Sequence, residues 1–214
     1  DEIYGHNMHD EISGDSGNDL IYSYDGNDLI SGGKGNDEIH GGGDNDIIYG
    51  NDGNDKIYGD GGNDMLQGGE GDDTYYFGIG SGNDIITEEG WGFDTIEITG
   101  SLTEQDLKFV RDGVNLIIKI EVQNGVQNSN DSLTIINYFK SYYNQVENIK
   151  FSNGKIMDST LITEAMKSIL GNGDDSVTGT ENGDYIYGNG GNDKIYGESG
   201  DDALYGGEGA DELY

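Results

Sequence analysis

The sequence predicts an all-β chain in which two nonapeptide solenoids, residues 1–98 and 171–214, flank a small β-rich module with one helix at 99–170. Three observations carry this expectation. The stretch 32–58 reads GGKGNDEIH, GGGDNDIIY, GNDGNDKIY, consecutive nine-residue units with Asp at position six and an aliphatic residue at position eight. Glycine supplies 39 of 214 residues, far above the usual share of about 7 per cent. The period stops near residue 98 and resumes near 171, and glycine is sparse between them.

In the first block, position six is Asp at 1, 10, 19, 28, 37, 46, 55, 64 and 73, and Ile3, Ile12, Ile21, Ile30, Ile39, Ile48, Ile57, Leu66 and Tyr75 follow two places later. Stretched units keep the place with Asp84 and Asp94, and bulky Trp91 and Phe93 mark the closing edge of the array. A turn at positions one to six followed by a three-residue strand winds as a solenoid, two units per coil of 18 residues. Position eight then points inward, and positions seven and nine point outward. On this reading Leu20, Leu29, Ile47 and Met65 expose an apolar strip suited to an interaction surface.

In the middle segment, Leu107–Arg111, Val114–Ile120, Ser132–Asn137, Val146–Phe151 and Lys155–Met157 are β-prone runs. Asp112-Gly113 and Asn153-Gly154 are hairpin signals, and the Asn-rich stretch 122–131 reads as a loop. A helix is expected from Ser159, because Leu161, Ile162, Ala165, Met166, Ile169 and Leu170 form one apolar face before Gly171 in the capping place. The nonapeptide then returns, with Asp175, Asp184, Asp193, Asp202 and Asp211 at position six.

Charge points to the chemistry. Forty-three acidic against ten basic side chains leave a net charge of −33, which opposes compaction and argues against nucleic acid or anionic lipid as a partner. The 15 tyrosines and in-register isoleucines argue against permanent disorder, though not against disorder without a cation. One buried aliphatic per unit contributes about 1.5–3 kcal/mol, less than the roughly 1–2 kcal/mol per residue needed to order nine residues. Aspartates converging with glycine-freed carbonyls form the hard oxygen shell that Ca²⁺ prefers, and Mg²⁺ fits less well because it dehydrates reluctantly. Two ladders of aspartates 18 residues apart result. One holds Asp10, Asp28, Asp46 and Asp64, the other Asp1, Asp19, Asp37, Asp55 and Asp73; in the second block Asp175, Asp193 and Asp211 oppose Asp184 and Asp202. Pairing them gives on the order of ten Ca²⁺ ions.

There is no cysteine, hence no disulfide and no thiolate site. No apolar run is long enough to span a membrane, and neither a membrane span nor an amino-terminal signal peptide is expected from these residues. Both ends cut the array, as in a segment of a larger protein. His6, His9 and His40 are scattered, and the chain carries no nucleophile elbow, zinc helix motif or paired acid and base, so no catalytic residue is expected.

The pattern GGxGxDxUx resembles the RTX family of secreted bacterial toxins, proteases, lipases and adhesins, and the resemblance covers roughly two-thirds of the chain. It implies calcium-bound parallel β-rolls whose ions are held by Asp10, Asp19, Asp28, Asp37, Asp46, Asp55, Asp64, Asp73, Asp84, Asp175, Asp184, Asp193, Asp202 and Asp211. It also implies carbonyl ligands from Gly32, Gly33, Lys34 and Gly35, from Gly41, Gly42, Gly43 and Asp44, and from Gly50, Asn51, Asp52 and Gly53. Asp44 and Asn182 replace the fourth-position glycine, and Met8 in that place, beside His6 and His9, departs from the pattern. LKFVRDGVNLIIKI, DSLTIINYF and VENIKFSNGKIMD are similar to a linker domain of haemolysin-type calcium-binding proteins. The function implied is a module that folds on external calcium after passage through type I secretion machinery. The alternative is a calcium-dependent adhesive surface, its Tyr-rich position nine (Tyr22, Tyr49, Tyr58, Tyr187, Tyr196, Tyr205) binding a host glycan, protein or membrane. Ice binding ranks last, because no regular outward Thr or Asx ladder exists.

Overall fold

The computed structural model describes residues 1–112, 114–121, 130–140, 146–181 and 183–214. The nonapeptide dictates its architecture directly. Each unit is too short to fold back on itself, so its strand pairs with the strand two units away, and every pairing within the repeats is parallel. In the first sheet Glu2–Tyr4, Leu20–Tyr22, Glu38–His40, Lys56–Tyr58, Thr74–Phe77 and Thr95–Ile98 lie side by side, and Asn148–Phe151 and Ile156–Asp158 follow. In the second, Glu11–Ser13, Leu29–Lys34, Ile47–Asp52, Met65–Glu70 and Asn83–Ile86 stack in the same way, followed by Ser132–Ile135, Asn115–Ile120 and Leu107–Asp112.

Register places like on like. Ile21 pairs with Ile39, Ile39 with Ile57 and Ile57 with Tyr75; Ile12, Ile30, Ile48 and Leu66 align on the other sheet. These two columns are buried and form one apolar cluster that continues through Phe77, Ile86 and Ile98 into Phe109, Ile118, Tyr138, Phe151 and Ile162. The middle segment therefore shares the core of the first array. It also shares its sheets: Ser132–Ile135 adds parallel to Asn83–Ile86, and Asn148–Phe151 adds parallel to Thr95–Ile98. Antiparallel strands then end both sheets, Asn115–Ile120 with Leu107–Asp112 on one and Ile156–Asp158 on the other.

The helix is shorter than its apolar face predicts. It runs Ser159–Ala165, capped by Asp158, whose side chain accepts the Leu161 N–H (2.9 Å). Lys167–Ile169 instead forms a strand parallel to Tyr185–Tyr187, and the Leu170 N–H donates to the Tyr187 carbonyl as position-one residues do elsewhere. Long-range strand pairing overrides helical periodicity here, because Lys167–Ile169 opens the second array. That array consists of Lys167–Ile169, Tyr185–Tyr187 and Ala203–Tyr205 on one face and Ser176–Thr178, Lys194–Tyr196 and Glu212–Leu213 on the other. The expected loop lies outside the described residues at 122–129, as do Gly113 and Asn182.

The outward strip also divides. Leu29, Ile47, Met65 and Ile85 line up on the second sheet, whereas Leu20 lies on the first. Position nine of the first sheet carries an aromatic column, Tyr4–Tyr22–His40–Tyr58–Tyr76, with near-parallel rings whose centroids are 4.0–5.8 Å apart. From Tyr22 onward the neighbours cover each other's faces. His40 sits inside this stack, with Nδ1 3.3 Å from Asp60 Oδ2.

Candidate metal centre

Most position-six aspartates of the first array, and Asp193 of the second, are buried although they are charged groups. Asp19, Asp28, Asp37, Asp46, Asp55, Asp64, Asp73, Asp84 and Asp193 are each 3% exposed or less. One oxygen of each carboxylate has an evident task. The backbone N–H of Asp28 donates to Asp46 Oδ1, that of Asp46 to Asp64 Oδ1, that of Asp37 to Asp55 Oδ1 and that of Asp55 to Asp73 Oδ1, all at 2.8 Å. Asp175 to Asp193, Asp184 to Asp202 and Asp193 to Asp211 repeat the bond in the second array.

Position five supplies a counter-ladder that the sequence pattern did not single out. The N–H of Asn36 donates to Asn18 Oδ1, that of Asn54 to Asn36 Oδ1 and that of Asn63 to Asn45 Oδ1, at 2.8–2.9 Å. Aspartate side chains thus reach back one coil while asparagine side chains reach forward one coil, and each coil is held from both directions.

The second carboxylate oxygen is the unusual one. Oδ2 of Asp19, Asp28, Asp37, Asp46, Asp55, Asp64, Asp73 and Asp193 is buried with no hydrogen-bond partner. All but Asp28, which has Ser23 in that place, lie beside a position-one glycine, and the glycine explains the geometry. A Cβ on Gly41 would sit 2.6 Å from Asp46 Oδ2 and 2.8 Å from the carbonyl oxygen of Gly59 on the next coil. Two acceptors therefore flank one small space that a Cβ on Gly41 would fill, and with the carboxylate ionised neither has a proton to share. Gly188 stands in the same way beside Asp193 Oδ2 and the Gly206 carbonyl. Uncompensated, a buried charged oxygen costs about 1–3 kcal/mol or more, so a ladder of them demands a cation. Among the described residues no three His, Asp or Glu side chains form a metal cluster by themselves; the oxygens that flank Oδ2 at Gly41 and Gly188 are backbone carbonyls, hard donors of the kind Ca²⁺ accepts.

Electrostatics agree. Burial, opposed by the N–H of the preceding aspartate and reinforced by neighbouring carboxylates, pushes Asp46 up to about 7. Burial likewise pushes Asp55 and Asp64 to about 6 and Asp73 and Asp84 to about 8.

The ladder ends differ from its interior. Asp10 Oδ2 accepts the His6 N–H (2.6 Å), Asp175 Oδ2 the Gly171 N–H (3.1 Å) and Asp184 Oδ2 the Thr180 N–H (2.6 Å). Ser23 occupies a glycine position, and its hydroxyl donates to the Gly41 carbonyl. The fourth-position substitute Asp44 has φ 72°, the left-handed conformation that Asx tolerates.

At the far end, two carboxylates from the middle segment take over. Glu147 Oε2 accepts the Asp94 N–H (2.7 Å), continuing one ladder after a gap of 53 residues. Asp131 accepts the N–H groups of Gly80 and Gly82 (2.9 Å each) and closes the other edge. Beside the first of these, Gly68 donates to the Tyr75 hydroxyl, which donates to buried Glu88 (2.5 Å each). Burial and then the Asp94 charge hold Glu88 well above the usual carboxylate range.

Comparison with known proteins gives a family to this geometry. The profile of the RTX calcium-binding nonapeptide repeat matches residues 4–39, 33–66, 40–75, 49–86, 169–204 and 178–213. That of the haemolysin-type calcium binding protein related domain matches residues 115–160. The chain is 36% identical over 100 residues to the iron-regulated protein FrpA of Neisseria meningitidis serogroup C, a match covering 44% of this chain and 8% of that protein. It thus spans a small part of that relative's length. The crystal structure of the extracellular lipase LipA from Serratia marcescens aligns with 92% of this chain and 29% of its own, at 19% identity and a TM-score of 0.28.

Proposed function

We propose, for a chain that belongs to the RTX calcium-binding nonapeptide repeat family, that its two arrays are a folding switch set by external calcium. The observation that carries this reading is the row of buried, partnerless Oδ2 atoms, which at Asp19, Asp37, Asp46, Asp55 and Asp193 face a carbonyl oxygen of the next coil across a glycine-sized gap. Calcium, when bound, supplies the positive charge that lets these oxygens lie together. Asp19, Asp28, Asp37, Asp46, Asp55, Asp64, Asp73 and Asp193 are the principal carboxylate ligands, and Asp10, Asp84, Asp175, Asp184, Asp202 and Asp211 complete the ladders. The carbonyls of 32–35, 41–44 and 50–53 fill out the shell, and the number of ions is on the order of ten.

Every bond from one coil to the next, apolar, Asp ladder or Asn ladder, forms only when two coils are already stacked. Ion-free, the carboxylates repel and the stack is disfavoured. Extracellular modules bind calcium at about 10⁻⁴ to 10⁻³ M, so the chain remains extended in a calcium-poor cytosol. Carried by its parent protein, it passes through type I secretion machinery in that form and folds outside the cell. It works as a structural module, with any catalytic or pore-forming activity residing elsewhere in the parent protein. Among the described residues no helix is long and apolar enough to cross a membrane.

Replacing Asp37 and Asp55 together by Ala tests this reading. The expected result is a calcium titration of β-structure with lower cooperativity and a higher midpoint, together with reduced export of the parent protein. Unchanged folding and export with loss of cell or glycan binding would instead favour adhesion.

A further inference from the structure

Calcium would occupy the turns, and the outer face of the second sheet stays open to solvent. There Leu29, Ile47, Met65 and Ile85 form a column that crosses the strands in register. Ile47 is 37%, Met65 50% and Tyr49 38% exposed, an unusual density of open apolar side chains for a chain of charge −33. Two adjoining hollows open on this face. One, of about 150 Å³, is floored by Ile47, Met65 and Tyr49; the other, of about 220 Å³, is edged by Asp52 and Glu70; Tyr49, Gln67 and Glu89 line both. An apolar trough therefore runs into an acidic end. That end already accepts an ammonium group from within the chain, since Lys34 Nζ sits 2.7 Å from Asp52 Oδ2 one coil away. Glu70 and Glu89 provide two further carboxylates beside the trough.

We propose that this face is a docking surface for a basic amphipathic peptide segment, with aliphatic side chains laid along Ile47 and Met65 and a lysine or arginine directed at Glu70 and Glu89. Charge complementarity selects this occupant. A neutral apolar segment would leave the acidic rim uncompensated, whereas a purely basic one would leave the trough wet. The aromatic column on the opposite sheet is less suitable, because its inner rings cover each other's faces.

The test uses the whole chain in saturating calcium, with a short alternating Leu–Lys peptide as probe, oligo-lysine of equal charge as control, and fluorescence anisotropy as readout. The Leu–Lys peptide is expected to bind at least about tenfold more tightly than oligo-lysine. Ile47→Ser combined with Met65→Ser, both outward-facing, should remove that preference while leaving oligo-lysine binding and the circular dichroism spectrum unchanged; Glu89→Gln should weaken the Leu–Lys peptide. Equal affinity for the two peptides would overturn the proposal, as would a double variant that binds like the parent. So would a parent chain whose Ile47 and Met65 instead mediate dimerisation in sedimentation or adsorption to zwitterionic vesicles.

Discussion

Asp46→Asn separates the two tasks of a position-six aspartate and should change stability in opposite directions with and without calcium. The amide oxygen of Asn can still accept the Asp28 N–H that Asp46 Oδ1 accepts at 2.8 Å. Its NH₂ replaces Oδ2, which is buried without a partner and flanks the same gap as the Gly59 carbonyl. Two facing acceptors become a donor and an acceptor, and the ion-free coil sheds an unsatisfied charge worth about 1–3 kcal/mol. With calcium the sign reverses. A carboxylate ligand is lost, and affinity at that level should fall at least about tenfold, or about 1.4 kcal/mol per affected ion. The assay is far-UV circular dichroism at pH 8.5, first in chelator and then across a calcium titration, with urea unfolding at saturating calcium. More residual β-structure in chelator, a higher calcium midpoint and weaker urea resistance are expected. A variant with an unchanged midpoint, or one weakened equally in both conditions, would show that Oδ2 is not a ligand.

Two further outcomes follow from the ends of the ladders and from their protons. Asp131→Ala leaves the Gly80 and Gly82 N–H groups without their acceptor and should destabilise the calcium-loaded chain by about 1–3 kcal/mol, measured by urea unfolding, while the repeats of the second array keep their calcium response. In chelator, acidification should restore β-structure. Asp73 and Asp84 are pushed up to about 8, Asp46 to about 7 and Asp55 and Asp64 to about 6, against about 3.9 in the unfolded chain. The folded state therefore holds protons that the unfolded state has released. Their stabilisation is complete below about pH 4 and is lost as pH rises through 6 to 8. Loss of β-structure on lowering the pH from 8 to 5 in chelator would contradict this.

The repeat was legible because its period and its chemistry coincide. Asp37, Asp46 and Asp55 recur in step with Ile39, Ile48 and Ile57, so one spacing fixes both the buried column and the ladder. What escaped is long-range. Glu147 and Asp131 reach the array from 53 and about 50 residues away, and nothing periodic marks them. Lys167–Ile169 looked helical because Leu161, Ile162, Ala165, Met166 and Ile169 fit a helical face, yet its pairing with Tyr185–Tyr187 decided the outcome. The Asn ladder was visible as letters. Its role was not, because an amide at position five has no helical or strand preference that would reveal a bond to the neighbouring coil. Ser23 is the opposite case: one residue departs from the pattern and its hydroxyl takes the carbonyl that glycine leaves open elsewhere.

Circular dichroism of the intact chain at neutral pH, in excess calcium and again after exhaustive chelation, bears most immediately on whether cations complete this fold. A strand-rich spectrum with calcium, collapsing to a disordered one on its removal and returning on readdition, is the expected result. A strand-rich spectrum that persists when all bound calcium has been removed would mean that the apolar columns and the Asp and Asn ladders hold the coils unaided, and that the partnerless carboxylate oxygens have another explanation.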